Sequence, residues 1–497
     1  MRPLTPHSIS LAKVADLVCA RFAKDLVDPG SIEITGVSLS DATVESGDLF
    51  IAAPGASQHG ARFIESAHKN GAIAIITDEE GAKLSLLLPT LIVKDPRVAG
   101  ALISSALFKE PMRDLFTIGI TGTNGKTTVS TLLYQLLQGA GRDTGLIGTV
   151  ETRIGLDSYT SARTTPEATD LQSIAATMRE RHMRHLVMEV SSHALTLKRV
   201  KGSHFNIVGF TNLTQDHLDF HETMENYFLA KSSLFTYEYS DLAFINIDDV
   251  YGQRLAEQCE IPSITVARSN PQSQWHYVSC EQGTHGASLS MRGTGGILIE
   301  TTTSLRGGYN YDNLLMAIAI ASEAGVDPID IAALVPSLTG AIGRFEPVSV
   351  GQNFGAFVDY AHTPDAVHSV LKTAREFTTG KVIAVLGCGG DRDSSKRPLM
   401  GKALLQGSDV AIFTSDNPRS EKPESIVQDM VGGAEIVRPS QVLLDRLEAI
   451  EYAVSLAQPG DSILVLGKGH ETGQEINGKV MPFDDRLVLA QAIESKP

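Results

Sequence analysis

Short apolar runs separated by polar, glycine-punctuated stretches recur along the chain. The first are Val37–Leu39, Leu49–Ala52, Ala72–Thr77 and Thr90–Val93. Next come Leu115–Ile120, His185–Met188, Asn206–Phe210 and Leu242–Ile245, and then Ala356–Val358, Val382–Leu386, Val410–Phe413 and Ser462–Leu466. Runs of this length bounded by turn residues predict buried strands, and their alternation with helical patterns predicts α/β architecture with parallel, doubly wound sheets. The runs group into three blocks, 1–111, 112–344 and 345–497. In such sheets ligands collect outside the carboxyl ends of the strands, so the loops that follow the runs are where chemistry is sought.

One of those loops is distinctive. After Leu115–Ile120 comes Thr121-Gly122-Thr123-Asn124-Gly125-Lys126-Thr127-Thr128, opening a helical pattern through Leu137. Glycines let backbone N–H groups approach a phosphate, and the helix N-terminus adds positive potential. Lys126 is expected to reach the outer phosphates, and the hydroxyl of Thr127 or Thr128 to ligate Mg²⁺. The strict phosphate-loop pattern asks for glycine at the position of Ile120, so the register is off by one; the sequence-level expectation is nonetheless binding of a nucleoside triphosphate.

Composition sharpens this. At 497 residues, with 42% hydrophobic and 20% charged residues, the chain reads as a soluble globular protein of two to four domains. No apolar run reaches transmembrane length and the N-terminus lacks a signal-peptide core, which predicts a cytoplasmic protein. A net charge of −16 argues against nucleic acid as partner. Cys19, Cys259, Cys280 and Cys388 have neither metal-site nor disulfide spacing and are expected to be reduced and buried, Cys388 being the exception because of its glycine-rich loop.

Other loops carry candidate chemistry. Glu189 follows His185–Met188, ahead of Ser191-Ser192-His193; Thr211 to Asp219, containing His217, follows Phe210. Glu189 and His217 are candidate Mg²⁺ ligands. Lys231 reads from pattern alone as an ordinary amphipathic-helix lysine, and Asn313 as either a nucleotide contact or a helix cap. In the last block, loops Gly387–Asp393, Ser415–Arg419 and Gly467–Glu471 bring two arginines, an asparagine and a glutamate to one sheet edge. Guanidinium forks match carboxylates and Glu471 accepts from an ammonium, which together complement a zwitterionic amino acid.

At this point the chain resembles the Mur ligase family over nearly its whole length. The residues that carry the likeness are 121–128, Met-Glu-Val-Ser-Ser-His at 188–193 and Thr-Asn-Leu-Thr-Gln-Asp-His-Leu-Asp at 211–219; further along come Gly-Arg-Phe-Glu at 343–346, Asp-Tyr-Ala-His-Thr-Pro at 359–364 and Gly-Lys-Gly-His-Glu at 467–471. The resemblance implies an N-terminal α/β UDP-binding domain, a central P-loop-type ATPase domain and a Rossmann-like C-terminal domain. It implies an ADP-forming amide ligase that joins meso-2,6-diaminopimelate to the D-Glu γ-carboxylate of UDP-MurNAc-L-Ala-D-Glu, using ATP and Mg²⁺, as a cytoplasmic monomer of peptidoglycan synthesis. An L-lysine-adding Mur ligase and a folylpolyglutamate-synthetase-like ligase are the alternatives.

The resemblance also assigns roles. Lys126, Lys231, His217 and Arg344 are the catalytic set; Gly122, Thr123, Asn124, Gly125, Lys126, Thr127, Thr128 and Asn313 bind ATP; and Thr127, Glu189, His217 and a carbamylated Lys231 hold metal. Leu39, Thr164, Thr165, Ser191 and Arg199 contact the UDP-sugar peptide, while Arg392, Asp416, Asn417, Pro418, Arg419, Gly467 and Glu471 contact diaminopimelate. The chain departs from relatives at Ser40-Asp41-Ala42, where Asp-Ser-Arg is frequent, and at Leu197, where some carry glutamine.

Overall fold

The computed structural model describes residues 1–55, 58–84, 87–283 and 286–496. Each predicted run is a strand, with ends moved by a residue or two, and the strands form three main sheets. In the central sheet, Phe116–Thr121 lies between His185–Glu189 and Phe205–Phe210, parallel to both. The strand's alternation sends Ile118 and Ile120 to one face, where they pack on helices Lys126–Gly139 and Gly308–Glu323. Met188, Val208 and Phe210 go to the other face, with Leu171 and Phe228. Each large apolar side chain so buried contributes about 1.5–3 kcal/mol. Ile120 is fully buried in this core, which accounts for the off-register glycine: the position belongs to the strand, and the turn begins at Gly122.

Among the described residues the central sheet has eleven strands, and its ends depart from the parallel expectation. A hairpin of Glu151–Ile154 and Asp157–Thr160 extends one edge, and antiparallel Gly286–Arg292 and Leu298–Thr303 extend the other. Asp157–Thr160 is exposed throughout and the other three alternate buried with more exposed positions, so no continuous apolar run announced them. The C-terminal sheet runs Glu346–Pro347, Gly355–Asp359, Ser462–Leu466, Val382–Cys388, Val410–Ser415, Gln441–Val442, parallel except for its first pair. The N-terminal sheet runs Arg21–Phe22, Thr90–Ile92, Ala74–Thr77, Asp48–Ala52, Gly36–Ser38.

The cysteine expectation is corrected. Cys388 is buried at the end of its strand, its thiol against the Met400 sulfur, and burial pushes that thiol up to about 12. Cys19 is the exposed one; all four are free thiols. The strand continues two residues past Leu386, so Cys388 belongs to the sheet and not to the glycine loop.

Candidate functional site

The phosphate loop is held from both sides. Gly125 takes a left-handed φ of 89°, and a Cβ there would meet Asn313 Oδ1 at 2.3 Å, so glycine is required where the loop turns into the helix. Asn313 is thereby placed within helix Gly308–Glu323, buried against the loop, and is not a helix cap. Thr211 Oγ1 donates to Asn124 O at 2.6 Å, and the Asn124 N–H donates to Asn212 Oδ1 at 2.9 Å. Lys126 Nζ spans the loop, donating to the carbonyls of Gly122 and Thr123, each at 2.9 Å.

Of the two threonines, Thr127 is the one beside Glu189, its Oγ1 donating to Oε2 at 3.0 Å. Glu189 also accepts from the Thr149 N–H at 2.7 Å and the Thr149 hydroxyl at 3.0 Å. Thr128 instead lines a cavity of about 110 Å³ with Asn124, Gly125, Asn313, Arg344 and Asp359. Arg344, on the segment joining the central and C-terminal units, reaches Thr127 Oγ1 at 3.4 Å, and its guanidinium lies 4.5 Å from the Tyr360 ring centroid.

Lys231 is not a surface lysine: it is 1% exposed, and its Nζ donates to Gly122 O at 2.8 Å. Burial, aided by Lys126, pulls its ammonium well below the ordinary lysine range. The His217 ring and Lys231 Nζ both lie near Tyr227, at 6.2 Å and 4.8 Å from its ring centroid. Burial pulls the His217 imidazole down to about 3 despite the neighbouring Asp216 carboxylate, leaving it neutral with a lone pair. Thus Thr127 and Glu189 touch each other, whereas His217 and Lys231 share the neighbourhood of Tyr227. Among the described residues no three His, Cys, Asp or Glu side chains form a ready-made metal cage. The hydroxyl and carboxylate oxygens of Thr127 and Glu189 are the hard donors that suit Mg²⁺, an ion that usually completes its shell with water and substrate phosphates.

A larger cavity of about 550 Å³ opens between the central and C-terminal units. Thr164, Thr165, Ser191, Arg199 and His217 of the central unit line it together with Arg392, Asp416, Asn417, Arg419, Gly467 and Glu471 of the C-terminal unit. Leu39 is elsewhere, in a small cleft with Leu197 and Arg199 at the seam with the N-terminal unit. Pro418 does not line the large cavity; its carbonyl packs on Gly390, where a Cβ would come within 2.0 Å, so it shapes the loop rather than facing the space. Gly467 has φ 112°, and a Cβ there would stand 2.6 Å from Asp416 Oδ2. The two arginine-bearing loops are stitched together: Arg419 Nη1 donates to Gly390 O at 2.6 Å, and the Ser420 hydroxyl donates to Asp391 Oδ1 at 2.7 Å. His217, Phe345, Asp391 and Arg419 all take left-handed backbone, and such strained positions concentrate at functional sites.

Sequence reasoning left several contributors without a role. Asp216, 5% exposed at its side chain, receives Lys396 Nζ at 3.1 Å and faces His362 Nε2 at 3.6 Å, both from the C-terminal unit. Glu167 gathers Arg97, Arg163 and Arg199 at 3.0–3.3 Å on the N-terminal side. Lys468, within the loop Gly467–Glu471, and Arg446 are fully buried. Asp216 and Lys468 stood inside quoted motifs, but pairing over distances such as the 180 residues from Asp216 to Lys396 is not written in any local pattern.

With this geometry in place, comparison with known proteins decides the family. The models for the Mur ligase family catalytic domain, the Mur ligase middle domain and the Mur ligase glutamate ligase domain match residues 33–112, 120–321 and 343–469. A Streptomyces coelicolor protein named UDP-N-acetylmuramoyl-L-alanyl-D-glutamate--2,6-diaminopimelate ligase is 47% identical over 99% of this chain and 98% of its own length. The chain belongs to the Mur ligase family. A solved structure bearing the same ligase name matches with TM-score 0.69 and 31% identity, covering 98% of this chain and 99% of that one. Mycobacterium tuberculosis folylpolyglutamate synthase, solved with ADP and AMPPCP, shares the fold with TM-score 0.60 and 18% identity over 75% of this chain. As in those Mur ligases, three units are present, and the two cavities described above lie along the seam between the second and third.

Proposed function

We propose that this Mur ligase is the ATP-dependent enzyme that adds meso-2,6-diaminopimelate to the D-Glu γ-carboxylate of UDP-MurNAc-L-Ala-D-Glu. Near-full-length likeness to ligases of that name supports it. The observation that carries it is the 550 Å³ cavity, which brings Thr164, Thr165, Ser191, Arg199 and His217 together with the loops that hold Arg392, Arg419 and Glu471. A carboxylate and an amine do not condense unless oxide is made a good leaving group. The γ-carboxylate oxygen attacks the γ-phosphorus of ATP, giving an acyl phosphate and ADP. The free amine then attacks the acyl carbon, phosphate departs and the amine loses a proton.

The chain's own groups do the positioning. Loop N–H groups and Lys126 hold the phosphates and spread the transferring charge. Arg344, against Thr127 and Tyr360, reaches the same region from the C-terminal side. Thr127, Glu189, His217 and a carbamylated Lys231 would hold Mg²⁺, which supplies positive charge to the phosphoryl oxygens. Arg392 and Arg419 bind carboxylate and Glu471 binds ammonium. Closure of the C-terminal unit excludes water from the acyl phosphate. ATP as co-substrate fits a cytoplasmic enzyme. Among the described residues no helix is long and apolar enough to cross a membrane.

The test is phosphate release, coupled to a colorimetric reporter, with the UDP-sugar dipeptide and either meso-diaminopimelate or L-lysine. Release is expected to require both acceptors and to favour diaminopimelate by about ten-thousandfold, the discrimination typical when the polar groups of a buried site are left unpaired. Equal use of lysine would move the assignment to the lysine-adding ligases. Release with no acceptor dependence would remove the ligase reading altogether.

A further inference from the structure

Lys468 follows Gly467 in the loop after strand Ser462–Leu466, and its side chain is 0% exposed. An ammonium in such a place is costly unless its donors are used. Here Nζ donates to Gly473 O at 2.6 Å, to Asn417 Oδ1 at 3.3 Å and to Glu471 Oε2 at 3.4 Å. Asn417 Oδ1 also accepts from the Glu475 N–H at 2.8 Å. Two donors converging on that atom determine which end of the amide is oxygen, and the Nδ2 end donates to Glu471 Oε2 at 2.7 Å. One oxygen of Glu471 is therefore committed to Asn417 and Lys468. The other, Oε1, has no hydrogen-bond partner among the described residues, and the Glu471 side chain keeps 31% exposure.

Asn417 and Glu471 line the large cavity, whereas Lys468 does not. We propose that Lys468 is a positioning residue of the amino-acid subsite: it fixes the Asn417 amide and occupies one Glu471 oxygen, so that the other is presented to the ammonium of the incoming zwitterion. This rests on the reading of these loops as the diaminopimelate site. A lysine that only braced the turn to hairpin strand Gly473–Ile476 would share the Gly473 contact but would have no reason to order both cavity-facing side chains. The positive charge also offsets the carboxylates of Glu471 and of Asp416, whose carboxyl burial pushes up while Arg446 and Lys468 oppose that rise.

The experiment is steady-state phosphate release by the full-length enzyme, varying meso-diaminopimelate, ATP and the UDP-sugar dipeptide in turn. Lys468→Met is expected to raise the diaminopimelate KM by about tenfold or more, the size associated with losing a hydrogen bond to a charged group, with the ATP KM within about twofold of wild type. In a Glu471→Gln background the same substitution should add less than about threefold, because both act through one contact. Equal changes in the ATP and diaminopimelate KM, or fully multiplicative effects in the double variant, would overturn the positioning role while leaving the amino-acid site standing. Wild-type phosphate release indifferent to diaminopimelate would overturn the site and the proposal with it. If Lys468→Met does not fold, Lys468→Gln, which retains a donor on a shorter stem, carries the same cycle.

Discussion

Lys231 shows what a single side chain owes to its surroundings. On helix Met224–Ser232 it occupies an unremarkable position, yet the helix lays it under the phosphate loop with its Nζ on Gly122 O. Burial and Lys126 pull its ammonium down, which favours the uncharged amine, the form whose nitrogen can attack the carbon of CO₂ and release a proton to give a carbamate. Lys231→Ala is therefore expected to lose activity by about a hundredfold or more, as for removal of one preorganised electrostatic group, and to regain part of it when acetate or another short carboxylic acid is added. Full activity of the variant without additive, in the phosphate-release assay, would end the carbamate role. The phosphate loop was legible because its chemistry is contiguous, from Gly122 to Thr128. Lys231 was not: nothing in a helical pattern states which loop the helix will cover, and only the family likeness singled it out.

At the scale of elements, the proposed amino-acid site is a property of strand ends. Val382–Cys388, Val410–Ser415 and Ser462–Leu466 lie side by side in the C-terminal sheet, so their following loops converge. The apolar runs made this convergence readable. What holds the ends level was not readable, because it is a buried pair remote in sequence. Arg446 donates from Nε to Asp485 Oδ1 at 2.8 Å and from Nη2 to Oδ2 at 2.6 Å; Nη1 donates to Ser415 O at 3.2 Å, and Nη2 also to Leu466 O at 2.9 Å. Those carbonyls immediately precede Asp416 and Gly467. Arg446 and Asp485 are both fully buried at their side chains, so removing one partner strands the other charge. Asp485→Ala should cost about 3–5 kcal/mol, measured by denaturant unfolding, and should weaken diaminopimelate binding more than ATP binding. A loss below about 1 kcal/mol, within the range of exposed ion pairs, would mean that the guanidinium is not anchoring these strands.

Across the whole molecule, the reaction needs two units to meet, and Asp216 is where they do. It comes from the central unit's loop after Phe210, and it holds Lys396 and His362 of the C-terminal unit while its neighbour His217 faces the cavity. Burial alone would raise the Asp216 carboxyl, but His362 and Lys396 hold it well below the usual carboxylate range, so it is anionic at physiological pH. The sequence showed the three units and the motifs on each, but not this contact, since relative placement depends on pairs such as Asp216 and Lys396 that no periodicity connects. If the pair keeps the cavity shut around a water-sensitive acyl phosphate, Lys396→Ala should leave each unit folded but loosen their closure. Two readouts follow: a larger radius of gyration by small-angle X-ray scattering with ATP analogue and UDP-sugar dipeptide bound, and a rise in phosphate released per amide formed, because water then competes with the amine. An unchanged radius together with unchanged coupling would show that closure is carried by other contacts, such as Arg344 on Thr127 and Gln282 on Glu376. A looser particle with intact coupling would separate the two, and would mean that the bound substrates themselves keep water from the acyl carbon.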